Sequence, residues 1–286
     1  MTARARAACV IGWPVEHSRS PLIHNYWLKT YGIAGEYRRE PVPPAQFGPF
    51  LQSLAARGYV GANVTVPHKE AALALSQPDQ RALAVGAANT LWLDGALRST
   101  NTDVEGFLDN LDAWAPHWNR DLATAVVLGA GGAARAVVYG LIERGVERIA
   151  VVNRTFSRAE MLRARFGARV RPVRWDERNA ALVDAALLVN TTTLGMMGQP
   201  ELVIDLGRLP GHAVVVDLAY VPLVTPLIEA AKARDLRTAD GLGMLLHQAV
   251  RGFTLWFGKK PAVTPELRAL VEADLRPSAA DPIGIT

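Results

Sequence analysis

The sequence is poor in cysteine and in long apolar runs. Cys9 is the single cysteine, so the chain can form neither an internal disulfide bond nor a cysteine-based metal site. The six histidines show no His-x-x-x-His spacing, and we expect no metal ion. No apolar run approaches the roughly 20 residues of a membrane-spanning helix, which argues against a membrane protein.

The chain also lacks a large excess of charge of either sign. A net charge of +4 over 286 residues is too small to indicate nucleic-acid binding, but it suits anionic small molecules. Two arginines precede Cys9, and the apolar stretch that follows is interrupted by Trp13, Pro14 and Glu16, unlike a signal peptide. We therefore expect a cytoplasmic protein of one or two domains.

The main motif in the second half of the chain is a glycine turn between a predicted strand and a predicted helix, at residues 125–136. Four apolar residues precede Gly129-x-Gly131-x-x-Ala134, and a helical pattern follows. Gly129 allows a tight turn, Gly131 lets a pyrophosphate approach the backbone, and Ala134 lets the helix pack closely. The free amides at the start of such a helix attract an anion. The pattern predicts a dinucleotide site, and a plain tight loop is the alternative.

The end of the next predicted strand, 148–152, distinguishes between the two nicotinamide dinucleotides. NAD sites usually carry an acidic residue there, whereas this chain has Asn153, Arg154 and Thr155, followed by Arg158. An arginine can bind a 2′-phosphate through paired hydrogen bonds, and a carboxylate would repel it. NADP is therefore favoured over NAD. The alternative is that both arginines only begin a solvated helix.

Strands and helices alternate after the glycine turn, which predicts a parallel sheet covered on both faces. Further strands are expected at 169–173, 186–189, 214–217 and 236–239. Ligands of such a sheet bind at the carboxyl ends of its strands. Thr191 and the segment from Leu218 to Tyr220 follow two of these ends, and helices return from Gly241 onward.

The first hundred residues mix strands and helices as well. Strands are expected at 7–12, 36–42, 59–66, 85–93 and 96–99, with a helix at 46–57. A polar loop after the first strand contains Ser18 and Ser20, with Ser20 as the N-cap and Pro21 in the first turn of the next helix. The two hydroxyls either cap this helix or hold a carboxylate, and the segment by itself fits both roles.

Polar side chains also gather at the end of the third predicted strand. Asn63 and Thr65 alternate with apolar residues and therefore share one face of the strand. Lys69 follows at the start of a helix. A lysine is usually a solvated surface charge, but strand-end polar groups that converge with it predict a site.

Together these motifs resemble the shikimate dehydrogenase family over nearly the full length of the chain. The segments that carry the resemblance are 18–21, 63–69, 88–90, 101–103, 129–133, 153–158, 217–220 and 241–248. It implies an α/β fold with a Rossmann-type NADP-binding domain at 104–240. It also implies an α/β substrate domain at 1–103, completed by C-terminal helices at 241–286. The two ligands would share the cleft between the domains.

The resemblance also implies roles for single residues. Lys69 would be the acid–base residue with Asp103 beside it, and Ser18 and Ser20 would hold the substrate carboxylate. The other substrate-binding residues would be Asn63, Thr65, Asn89, Asp103, Tyr220 and Gln248. NADP would be bound by Gly129, Ala130, Gly131, Gly132, Ala133, Asn153, Arg154, Thr155, Arg158, Thr191, Leu218 and Gly241.

The implied activity is the reversible NADPH-dependent reduction of 3-dehydroshikimate to shikimate in aromatic amino-acid biosynthesis. A monomer or homodimer without nucleic-acid or membrane partners would carry it out in the cytoplasm. Two residues depart from the family pattern: Arg19 stands between the serines, and Val221 replaces a frequent asparagine. Because of Arg19, an enzyme that also uses quinate stays an alternative. A non-catalytic NADP-binding regulator is a second one, disfavoured by the joint presence of Lys69 and Asp103.

Overall fold

A computed structural model describes residues 6–120 and 124–275 and contains two six-stranded sheets. Every strand up to residue 100 belongs to the first sheet, and every strand from residue 124 to residue 239 belongs to the second. The outer limits of the predicted substrate domain, at residues 1–5 and 276–286, lie outside the described residues. Within the described ranges, no helix combines the length and the apolar character needed to cross a membrane.

The first sheet is mixed. Its strands are β1 (Arg6–Gly12), β2 (Gly35–Pro41), β3 (Tyr59–Val64), β4 (Gln77–Pro78), β5 (Thr90–Asp94) and β6 (Ala96–Thr100). They lie in the order β2-β1-β3-β5-β6-β4, and β1 runs parallel to both β2 and β3. The segments that follow β1 and β3 therefore leave the sheet at the same edge. A hydrogen bond of 3.1 Å from the Trp13 amide to the Val66 carbonyl joins them.

The second sheet is parallel throughout. Its strands are β7 (Thr124–Leu128), β8 (Arg148–Asn153), β9 (Val170–Arg174), β10 (Leu187–Asn190), β11 (Val214–Asp217) and β12 (Arg237–Ala239). Their order is β12-β11-β10-β7-β8-β9, which is the doubly wound arrangement that the alternating pattern predicts. The direction of winding reverses between β7 and β10. Sheets of this kind bind ligands in the crevice at that point.

Helices cover both sheets, and two of them connect the halves of the molecule. The α-helices of the described ranges are α1 (Ser20–Thr30), α2 (Phe47–Gln52), α3 (Lys69–Ala74), α4 (Gln80–Val85), α5 (Asp103–Trp114), α6 (Gly132–Glu143), α7 (Phe156–Phe166), α8 (Pro226–Lys232), α9 (Gly241–Phe257) and α10 (Pro265–Leu275). The chain enters the second sheet through α5 and leaves it through α9. A Cβ on Gly106 of α5 would lie 2.6 Å from Gln248 Cβ of α9, so glycine is needed for the close approach of these helices.

Two predicted elements of the first half differ from the structure. The strand predicted at 85–93 begins only at Thr90, because Val85 ends α4 and Gly86 follows with a left-handed φ of 74°. The helix predicted at 46–57 is shorter and covers only α2, since the chain turns at Ser53. The other predicted strands agree with the structure to within one or two residues.

Candidate active site

A pocket of about 370 Å³ lies at the carboxyl ends of β1 and β3, against the start of α9. Its lining includes every residue predicted to bind the substrate: Ser18, Ser20, Asn63, Thr65, Lys69, Asn89, Asp103, Tyr220 and Gln248. Ala133, Leu218 and Gly241, which were predicted to bind the cofactor, line the same pocket. The pocket therefore extends from the first sheet to the start of α6 in the second half of the molecule.

Two charged residues of the pocket, Lys69 and Asp103, form an ion pair. Lys69 Nζ donates a hydrogen bond of 2.6 Å to Asp103 Oδ2. The lysine side chain is 30% exposed and the aspartate side chain 14%, so the pair is largely shielded from water but still accessible from the pocket. Both residues begin helices, α3 and α5, whose first turns meet here.

A buried histidine anchors the turn that carries the lysine. His68 stacks on Phe47 with ring centroids 4.4 Å apart, and its Nε2 lies 2.7 Å from the Val42 carbonyl oxygen. It is 2% exposed. His68 lies within the predicted 63–69 motif, but its burial depends on Phe47, which is distant in sequence. No role was therefore predicted for it from the sequence.

Asn89 orients the carboxylate of the ion pair. Its Nδ2 donates to Asp103 Oδ1 at 2.9 Å and to Gln248 Oε1 at 3.4 Å. Its Oδ1 accepts a hydrogen bond of 2.7 Å from the Thr102 amide. Asn89 is 2% exposed, so its amide is held in one orientation by buried partners.

Asn63 is held mainly by protein groups. Its Oδ1 accepts a hydrogen bond of 2.6 Å from the Tyr37 hydroxyl. Its Nδ2 donates to the Asn89 carbonyl at 3.3 Å and to Thr90 Oγ1 at 3.1 Å. Both donors are therefore used inside the protein, and Asn63 forms a rigid part of the pocket wall. Tyr37 lies on β2, 26 residues away, and was not predicted to support the site.

The serine loop connects β1 with α1. The N-cap of α1 is Arg19 and makes no side-chain capping bond, so the prediction that Ser20 is the N-cap is wrong: Ser20 is already the first helical residue. Ser18 Oγ accepts a hydrogen bond of 3.3 Å from the Ser20 amide. The Arg39 guanidinium donates to the Ser18 carbonyl at 3.1 and 2.8 Å, which fixes the loop against β2.

The opposite wall is built on a buried carboxyl group for which no role was predicted. Asp217 is fully buried and accepts hydrogen bonds from Asn190 Nδ2 at 2.9 Å, Thr225 Oγ1 at 2.7 Å and the Ala219 amide at 3.0 Å. Burial raises the pKa of this carboxyl. These bonds fix the segment that carries Tyr220, and the signal that could have indicated Asp217 is its place in the 217–220 motif.

The glycine turn has the geometry that its spacing predicts. Gly129 has a φ of 104°, and a Cβ there would lie 2.5 Å from Thr191 Oγ1, so glycine is required. Thr191 Oγ1 donates a hydrogen bond of 2.7 Å to the Leu128 carbonyl, which joins the ends of β7 and β10 at the switch point. A Cβ on Gly131 would meet nothing within 4 Å, so the backbone at the start of α6 is open to a ligand.

Two hollows flank the glycine turn and share Ala130 and Gly131. One of about 230 Å³ is lined by Asn153, Arg154 and Thr191. The other, of about 340 Å³, contains Gly132 and Arg158. The two arginines predicted to bind a 2′-phosphate are both exposed and line different hollows. The backbone carbonyl of Thr155 accepts a hydrogen bond of 2.8 Å from Asn153 Nδ2. Open backbone amides and exposed guanidinium groups suit a phosphorylated dinucleotide.

Family models match three stretches of the chain. The shikimate dehydrogenase substrate binding domain matches residues 10–91. The shikimate/quinate 5-dehydrogenase family matches residues 116–243. The shikimate 5′-dehydrogenase C-terminal domain matches residues 241–270.

Whole proteins are similar over almost the entire length. The NADP(+) shikimate dehydrogenase of Rhodopseudomonas palustris strain TIE-1 is 67% identical over 97% of this chain and 100% of its own. The structure of shikimate 5-dehydrogenase from Thermus thermophilus with NADP(H) and shikimate has a TM-score of 0.83 and 36% identity, covering 96% of this chain and 100% of that one. A quinate dehydrogenase from Corynebacterium glutamicum with NAD has a TM-score of 0.86 and 31% identity, covering 94% and 99%.

Proposed function

This chain belongs to the shikimate dehydrogenase family, and on that premise we propose that Lys69 and Asp103 carry out its catalysis. The protein is an NADP-dependent oxidoreductase that reduces 3-dehydroshikimate to shikimate. The observation that carries our assignment is the 2.6 Å ion pair between the two residues in a pocket that reaches Ala133 of α6.

Lys69 is the proton donor in this proposal. NADPH, when bound, supplies a hydride to the carbonyl carbon of the substrate. The oxygen on that carbon gains negative charge, and the Lys69 ammonium donates a proton to it. In the reverse direction the neutral amine takes the proton from the substrate hydroxyl. Asp103 keeps the lysine nitrogen in place and accepts a hydrogen bond from the same hydroxyl region.

The other polar groups of the pocket recognise the acid and its ring hydroxyls. Ser18 and Ser20 offer hydroxyl donors at one end, where we place the carboxylate. Thr65 and Gln248 face the ring hydroxyls, and Tyr220 closes the opposite wall. Asn63 and Asn89 shape the wall formed by the first sheet, because the amide donors of both are engaged by protein groups. A substrate that leaves such buried groups unpaired loses about 1–3 kcal/mol of binding free energy for each unpaired group.

The glycine turn and the arginines would hold the cofactor. Residues 129–133 offer the open backbone at the start of α6 to the pyrophosphate, with Thr191 beside them. Asn153, Arg154 and Thr155 on one side of the turn and Arg158 on the other would hold the 2′-phosphate, and Leu218 and Gly241 would hold the part of the cofactor next to the substrate pocket. The open backbone at Gly131 and the exposed guanidinium groups in both hollows support this assignment.

We also propose the finer points of organisation. The substrate domain comprises 1–103 and 241–286, and the NADP domain comprises 104–240, with hinges at the starts of α5 and α9. The enzyme works in the cytoplasm as a monomer or homodimer. Sedimentation velocity of the purified protein and fractionation of cells measure these two properties.

A spectrophotometric assay tests the assignment. We expect purified protein to oxidise NADPH with 3-dehydroshikimate and to reduce NADP⁺ with shikimate, and the Lys69→Met variant to bind shikimate without turning it over. The same assay with quinate in place of shikimate, and then with NAD⁺ in place of NADP⁺, measures the range of substrates and cofactors. The substrate range is the point that Arg19 leaves open. Turnover by Lys69→Met at the wild-type rate would refute the role of Lys69, and quinate oxidation as fast as shikimate oxidation would support the broader enzyme.

A further inference from the structure

The residues that line the substrate pocket include one arginine, one lysine and one aspartate: Arg19, Lys69 and Asp103. Lys69 and Asp103 neutralise each other at 2.6 Å. Arg19 has no acidic partner among the residues that line the pocket, and it stands between Ser18 and Ser20 at the end of the pocket to which we assign the substrate carboxylate.

The Arg19 guanidinium is held in place from two sides. Its Nη1 donates a hydrogen bond of 2.6 Å to the His17 carbonyl, and its Nε donates one of 3.1 Å to Asp274 Oδ2 on α10. Its side chain is 24% exposed, whereas that of Asp274 is 51% exposed. An ion pair with one exposed partner contributes little to stability, so the pair with Asp274 leaves room for a second role of the Arg19 guanidinium.

The electrostatic influence of Arg19 reaches the pocket wall. Burial raises the pKa of the Tyr220 hydroxyl, and the positive charge of Arg19 acts in the opposite direction. Tyr220 lines the pocket on the side of the second sheet, while Arg19 belongs to the first half of the molecule. The positive charge of Arg19 therefore acts on the side of the pocket that Tyr220 occupies.

We propose that Arg19 is a specificity-determining residue that selects substrates bearing a carboxylate, in addition to the two serine hydroxyls. This inference rests on the proposed function. An arginine presents a planar set of donors and a permanent charge, which suits a carboxylate better than a serine pair alone. Asp274 weakens the attraction between the guanidinium and the substrate carboxylate, because it competes with the substrate for the same cation.

The first test compares an acid with its neutral ester. We expect Arg19→Gln to raise the KM for shikimate about tenfold, as loss of one charge-assisted contact would, with kcat little changed. The KM for shikimate methyl ester should change less than twofold, and Arg19→Lys should restore part of the affinity for the acid. Arg208→Gln is the matched control, because Arg208 forms an exposed pair with Asp205 at 3.3 Å, outside the pocket lining.

Asp274→Asn separates recognition from anchoring. If Arg19 binds the carboxylate, this variant keeps or lowers the KM for shikimate, because the guanidinium loses a competitor. If Arg19 only ties the loop to α10, Asp274→Asn raises KM as Arg19→Gln does, and the proposal is overturned. It is also overturned if Arg19→Gln affects acid and ester equally. Wild-type protein without shikimate turnover would instead refute the proposed function itself.

Discussion

Lys69 Nζ lies 2.6 Å from Asp103 Oδ2, and each residue is the first of its helix. An aspartate at a helix N-terminus is favourable, whereas a lysine there opposes the helix dipole. Lys69 therefore occupies a position that the helix dipole disfavours. Asp103, on another helix, offsets this cost by pairing with it. A residue kept in an unfavourable local position is a marker of function rather than of folding.

Replacing the lysine should remove catalysis and spare the fold. We expect Lys69→Met to lower kcat by about 10²- to 10⁴-fold, which is the usual contribution of a positioned proton donor. Shikimate binding should stay measurable by calorimetry. Lys232→Met, on an exposed position of α8, is the control and should keep full activity. A kcat within a few fold of wild type for Lys69→Met would exclude Lys69 as the acid–base residue.

The preference for NADP should depend on Arg154. Because its guanidinium would pair with the 2′-phosphate, we expect Arg154→Ala to raise the KM for NADPH about tenfold or more and to leave that for NADH nearly unchanged. Steady-state kinetics with both cofactors measures this. Arg171→Ala, at an exposed position of β9, should affect neither. Equal increases for the two cofactors would contradict a contact with the 2′-phosphate.

Much of the site could be predicted because its residues lie in compact motifs. The turn at Gly129 needs a backbone conformation that favours glycine. Both arginines that follow β8 lie within the six residues 153–158. Residues that act through tertiary contacts could not be found in this way. Tyr37 reaches Asn63 only because β2 and β3 both flank β1. Its role depends on strand order, which a local pattern does not contain.

Two wrong local predictions concern the ends of helices. The apolar residues at 85–93 suggested one strand, but Gly86 ends α4 there and Asn89 is used for hydrogen bonds to Asp103 and Gln248. The expected cap at Ser20 failed because the helix begins one residue earlier than a cap at that position requires. In the first segment a local glycine ends the helix before the strand begins, and in the second the helix starts at Ser20 with Arg19 as its N-cap.

The hydrogen bond from Tyr37 should stabilise the pocket wall. Tyr37→Phe leaves Asn63 Oδ1 without its donor in a buried position, so we expect the free energy of unfolding to fall by about 1–3 kcal/mol. We also expect a several-fold loss in kcat/KM, because Asn63 supports Asn89 and Thr90. Denaturant unfolding and kinetics measure the two effects. Tyr26→Phe is the matched control, since Tyr26 is partly exposed on α1. Unchanged stability in Tyr37→Phe would refute this role.

The buried ring of His24 should make the protein sensitive to acid. It is fully buried and stacks on Tyr37 at 4.2 Å, and neither ring nitrogen has a hydrogen-bond partner in the described residues. Burial lowers its pKa from 6.5 to about 3. Between these values the unfolded state binds a proton that the folded state does not, so stability falls as the pH falls.

From this linkage we expect His24 to lower the free energy of unfolding by about 2 kcal/mol as the pH falls from 7.5 to 5. In His24→Phe an aromatic ring remains but cannot be protonated. The free energy of unfolding of this variant should therefore fall about 2 kcal/mol less than that of the wild type over the same pH interval. Urea unfolding at several pH values measures both slopes. His212→Gln, at an exposed position, should keep the wild-type slope. Parallel curves for wild type and His24→Phe would show that acid sensitivity arises at other groups, because the substitution removes the proton uptake of this ring alone.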